Sequence, residues 1–132
     1  MEKKFKAYLS GNKIVSNASE AFSLNSQSCI GDRIENKIHY SFVEAVYLLK
    51  KGKISLYKDN KKLNADKFMK IAEKKEHNFF ARYVTYADLK NRGYTVKTAL
   101  KFGADFRVYD KGKKPEKSTR NGLFLRFMRL IK

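Results

Sequence analysis

The sequence predicts a mixed protein of the α+β or α/β class, built as two lobes that divide after residue 78. Three observations carry this expectation. Short alternating apolar and polar runs flank a Gly-Asn turn near the start of the chain. A capped apolar helix then runs into a glycine and a strand. Finally, a longer stretch with helical spacing leads into a second set of strands. Residues 1–78 are expected to form a small α+β domain, and residues 79–132 a second domain around a mixed central sheet.

The first elements are "KKFKAYL" and "KIVS", two strand-like pieces joined by "SGN", where Gly11 and Asn12 suit a tight hairpin. A short helix is expected at "ASEAFSL", followed by an irregular polar segment, "NSQSCIGDRIENK". The next helix is better specified. Ser41 stands as N-cap with Glu44 three residues on, which makes a capping box, and Tyr40 with Ala45 offers a staple. Lys50 and Lys51 suit the negative end of the helix dipole, and Gly52 stops it before the strand "KISLY".

"KDNKK" reads as a turn. Asn64 is then expected to cap one helix through "ADKFMKIAEKKEHNFFARY", in which Phe68, Ile71, Ala72, Phe79 and Tyr83 recur at helical spacing. Thr85 is expected to cap a separate short helix that Gly93 ends. "YTVKTAL" and "ADFRVYD" follow as strands. In the second of these, Phe106 and Val108 share one face while Asp105, Arg107 and Tyr109 share the other. The tail "LFLRFMRLI" fits either a basic amphipathic helix or a strand, and the strand, or burial against the core, is the favoured reading.

Charge restricts the partners. Thirty Lys and Arg against thirteen Asp and Glu give a net charge of +17. Such a field attracts polyanions, nucleic acid first and an anionic membrane surface second. Lysines scattered through every segment also arise from codon bias alone, and charge says nothing about chemistry. The run "FVEAVYLL" carries a glutamate and is far too short to cross a bilayer, and no signal peptide is recognisable, so a cytoplasmic protein without a membrane partner is expected. The one cysteine, Cys29, fits a reducing compartment and reads as an inert thiol.

No cysteine pair and no His-x3-His spacing is present, and His39 and His77 stand alone, so neither a metal site nor a cofactor is expected. Carboxylates do not cluster as a metal-dependent nuclease requires. A nuclease built on this chain is therefore expected to work without metal, letting the RNA's own 2′-hydroxyl attack the adjacent phosphate while the protein supplies a base, an acid and positive charge. Tyrosine is a poor base unless nearby cations favour its phenolate. Tyr109 shares its strand face with Arg107 and precedes Lys111, Lys113 and Lys114. A tyrosine at a strand end is more often structural than catalytic.

From Tyr83 to Gly112 the chain reads "YVTYADLKNRGYTVKTALKFGADFRVYDKG". The succession "DLKNRGY", "VKTALK" and "FGADFRVY" resembles the core signature of the archaeal tRNA-splicing endonucleases. "YSFVEAVYLLKKGKISL" is similar to the helix and strand of that family's N-terminal domain. The resemblance covers about residues 1–112, and the tail 118–132 does not share it.

The resemblance implies a nuclease-type second domain in an enzyme that recognises a bulge-helix-bulge in precursor tRNA. It implies metal-independent cleavage that leaves a 2′,3′-cyclic phosphate and a 5′-hydroxyl, by a site of tyrosine, histidine and lysine. Tyr109 falls on the tyrosine position. The ungapped histidine position holds Thr119, and the lysine position is not reached, so this chain alone is expected to be inactive or weak. Three explanations stand side by side: a truncation or frameshift near Lys117, a non-catalytic structural subunit, and an RNA-binding protein that has lost cleavage. The family also implies a dimer, a tetramer or pairing with a related subunit. Expected RNA contacts are Lys97, Lys101 and Arg107 on the signature strands and Lys111, Lys113 and Lys114 in the loop, against the alternative that several are solvated lysines.

Overall fold

Alternation builds the first sheet. In β1 (Phe5–Ser10) the odd residues Phe5, Ala7 and Leu9 are buried and the even ones face solvent. β2 (Lys13–Ser16) pairs with β1 antiparallel across the turn, with Tyr8 opposite Val15. The computed structural model describes residues 4–98 and 106–111, and the backbone of 123–125. It divides the chain into two units, Met1–His77 and Asn78–Lys132, and its secondary structure is α+β.

In the first unit, α1 (Ser19–Ser28) is longer than expected. The polar segment after it is ordered as a hairpin of β3 (Asp32–Ile34) and β4 (Lys37–Tyr40), which corrects the irregular reading. Every residue of β3 is exposed, so this edge strand carries no apolar alternation that would reveal it. α2 (Phe42–Lys50) follows, then β5 (Ile54–Lys58), which lies parallel to β1. "KDNKK" turns as expected: Asp59 and Asn60 both hold positive φ, as a tight hairpin turn requires, and β6 (Lys61–Leu63) returns from it. The six strands run in the order β3-β4-β2-β1-β5-β6.

α2 is buried on most sides, through Phe42, Val43, Glu44, Ala45, Val46 and Leu48, and fully burying each larger aliphatic contributes about 1.5–3 kcal/mol. Its capping box forms as the sequence predicts. Gly52 closes a Schellman motif, with Lys53 N–H donating to Leu48 C=O at 2.9 Å and Gly52 N–H to Leu49 C=O at 3.1 Å. Glu44 does more than cap. One carboxylate oxygen accepts from Ser41 N–H and the other from Gly31 N–H, each at 2.8 Å, which ties the helix start to the loop before β3. Gly31 sits at φ +85° with Ile38 and Tyr40 so close that an added Cβ would lie 2.5 Å from Ile38 Cγ2. Only glycine fits there.

The single helix expected from Ala65 to Tyr83 is two. α3 (Ala65–Lys75) begins at Asn64, whose side chain accepts from Lys67 N–H at 2.8 Å, and it ends where Glu76 turns extended. Asn78 then adopts the left-handed conformation, which asparagine tolerates, and α4 (Phe79–Asn91) starts anew. Thr85 lies inside α4 and caps nothing; its hydroxyl donates to Ala81 C=O.

In the second unit α4 buries Phe79, Arg82, Tyr83 and Tyr86. β7 (Thr95–Thr98) and β8 (Phe106–Tyr109) pair antiparallel, and β9 (Leu123–Leu125) adds to β8, so that part of the tail is a strand. Phe106 packs its ring 5.9 Å from that of Tyr86, and the Arg82 guanidinium lies 5.6 Å from the Phe106 ring. Among the described residues no helix is long and apolar enough to cross a membrane.

Candidate active site

Pairing of β7 with β8 decides which signature residues meet. Thr95 stands opposite Tyr109 and Lys97 opposite Arg107, while Val96 pairs with Val108. Strand alternation therefore puts Thr95, Lys97, Arg107 and Tyr109 on one face of the sheet, away from Phe106, which packs on α4. The Arg107 guanidinium lies 5.9 Å from the centre of the Tyr109 ring, within cation–π range. Lys97 and Arg107, at directly opposed positions, bring two cations to this face.

This face is not open. Tyr109 is 1% exposed and Lys97 7%, and Arg107 is half-buried. The Tyr109 hydroxyl is buried with no hydrogen-bond partner among the described residues. A phenol in that position can exchange a proton only with something brought to it. Lys111 is exposed and leans over Tyr94, its Nζ 5.5 Å from the ring centre. Lys101, Lys113 and Lys114, with Thr119, lie outside the described residues.

The sequence reading passed over Thr95, whose position opposite Tyr109 follows only from the strand register. It also passed over Tyr94 as a seat for Lys111. No three His, Cys, Asp or Glu side chains come together to hold a metal ion among the described residues. His39 is half-buried on the first sheet and His77 is exposed.

The chain is similar in sequence to known proteins over most of its length. Residues 5–69 match the family model described as tRNA intron endonuclease, N-terminal domain, and residues 79–123 match tRNA intron endonuclease, catalytic C-terminal domain. The tRNA-splicing endonuclease of Thermococcus gammatolerans is 40% identical over 106 residues, spanning 80% of this chain and 63% of that protein. That of Pyrococcus abyssi is 38% identical over 112 residues, 84% of this chain and 66% of the relative. That of Nanoarchaeum equitans is 49% identical over 79 residues, 60% of this chain and 51% of the relative. The chain thus spans less than two thirds of the length of these relatives.

Proposed function

The chain belongs to the tRNA intron endonuclease family, and on that premise we propose that it is a splicing-endonuclease subunit acting on a bulge-helix-bulge in precursor tRNA. Tyr109 takes the proton of the 2′-hydroxyl as the 2′-oxygen attacks the adjacent phosphorus. The bond from phosphorus to the 5′-oxygen breaks, an acid protonates that oxygen, and the products are a 2′,3′-cyclic phosphate and a 5′-hydroxyl. No redox change and no added co-reactant is involved.

The observation that carries this reading is the shared face of Tyr109, Arg107 and Lys97, with the guanidinium 5.9 Å from the phenol ring. Cations there favour both a phosphate and the charge that gathers on it during attack. The acid is the weak point. Thr119 stands where the family resemblance expects histidine, and loss of a general acid costs a factor of about 10² to 10⁴. We therefore assign slow cleavage to this chain alone, with a related subunit as the source of the acid.

A second reading has its own support. Tyr109 is 1% exposed, as in a subunit that binds RNA or supports a catalytic partner without doing chemistry. A cleavage assay separates the two. End-labelled bulge-helix-bulge RNA is incubated with the chain in EDTA, with and without added imidazole. Slow cleavage at the bulges that imidazole accelerates, with cyclic phosphate ends, supports the catalytic reading. Salt-sensitive binding without any cleavage at any imidazole concentration supports the structural one.

A further inference from the structure

The first sheet has a second face, opposite the buried Phe5, Ala7 and Leu9, whose described residues are exposed or half-buried. From the strand register, Lys6, Tyr8, Lys13, Lys37, His39 and Tyr57 all point to it. At its centre Tyr8 is 46% exposed, and its ring lies 6.0 Å from that of Tyr57 at an interplanar angle of 30°. Lys6 Nζ stands 5.8 Å from the Tyr57 ring centre. Beside the pair lies a depression of about 430 Å³, lined by Tyr8, Lys13, Val15, Ile34, Lys37 and His39 among others. Asp32 is the only acid at a described strand position on this face, and Glu35 sits at the turn beside it.

One exposed and one half-buried aromatic ring with exposed lysines on a sheet face are what a single-stranded nucleic acid needs: ring faces for bases, cations for the backbone. An apolar partner would want the reverse, a broad hydrophobic patch with few charges at its centre. We propose that this face is a binding platform for an unpaired RNA segment, with bases stacking on Tyr8 and Tyr57 and phosphates lying along Lys6, Lys13 and Lys37. It goes beyond the cleavage assignment and does not depend on it, since neither Tyr109 nor any residue of the second unit takes part.

The test uses the full chain and a fluorescein-labelled oligouridylate of about ten nucleotides, within the site size of such platforms. Tyr8→Ala with Tyr57→Ala is expected to weaken binding about tenfold or more, and Tyr8→Phe with Tyr57→Phe to keep it within about twofold, because stacking needs the ring and not the hydroxyl. Lys6→Ala, Lys13→Ala and Lys37→Ala together are expected to lower the salt slope by about 2, from roughly 0.7 per phosphate contact on a single strand. Circular dichroism on each variant separates lost binding from lost folding. Affinity unchanged in the folded alanine variant overturns the proposal. So does a self-associated native chain that the alanine variant dissociates, which would make the face a contact between copies. If the platform binds but no RNA is cleaved, the proposal stands and the catalytic reading fails alone.

Discussion

In the first unit the buried carboxylate of Glu44 is fully engaged with backbone N–H groups, from Gly31 and Ser41, and lysines stay on the surface. The second unit instead takes cations inward: Arg82 over Phe106 on one face of a small sheet, and Lys97 on the other beside Tyr109. One net charge of +17 therefore has two structural meanings. Surface lysines on the first sheet cost little desolvation and act as a general attraction for polyanions. A buried lysine or arginine is costly unless something negative meets it, so its presence points to chemistry or to a built polar network. Scattered lysines in a sequence cannot tell these apart.

The largest effect that would break this comparison lies at Glu44. Glu44→Ala leaves the Gly31 and Ser41 N–H groups without their acceptor, and hydrogen bonds to a charged group contribute about 1.5–3 kcal/mol each. Urea unfolding is expected to show a loss of about 3 kcal/mol or more; a loss under about 1 kcal/mol would mean that water replaces the carboxylate. Gly31→Ala comes next, at roughly 2–4 kcal/mol, because the added methyl meets Ile38 and Tyr40 and the positive φ disfavours any side chain. The same unfolding curves measure it.

Asn64→Ala removes the cap of α3 and is expected to lower stability by about 1 kcal/mol. The smallest effect at neutral pH belongs to Tyr40. Burial, and then the negative charge of Glu44, hold the phenol's pKa well above its ordinary value. The folded state thus keeps a proton that the unfolded chain gives up near pH 10, so stability is intact below about pH 10 and falls as pH rises further. The Tyr40 hydroxyl is buried with no hydrogen-bond partner among the described residues. Tyr40→Phe is therefore expected to be neutral or slightly stabilising at about pH 7 and to flatten the alkaline loss, as thermal unfolding across pH would show.

Legibility followed the range of the interaction. The capping box at Ser41, the Gly11 turn and the face shared by Arg107 and Tyr109 rest on residues a few positions apart, and each could be read directly. The break at Asn78 could not, because Phe68, Ala72, Phe79 and Tyr83 keep helical spacing straight through it and a backbone reversal has no apolar signature. β3 and β6 were hidden for the same reason, as polar edge strands. At the candidate site the sequence offered the residue types but not their burial. Nothing local in "FRVY" says that Tyr109 is enclosed while Tyr8, in the equally alternating "FKAYLS", stands open.

The most direct test is Tyr109→Phe, compared with the native chain on the same bulge-helix-bulge RNA in EDTA, reading cyclic phosphate ends from each. Because the Tyr109 hydroxyl is buried without a partner among the described residues, the substitution is expected to leave folding intact or slightly firmer. The expected result is unchanged RNA binding and loss of the slow cleavage by a factor of about 10² or more. Equal rates of cyclic phosphate formation by both proteins would contradict it and remove Tyr109 from the chemistry.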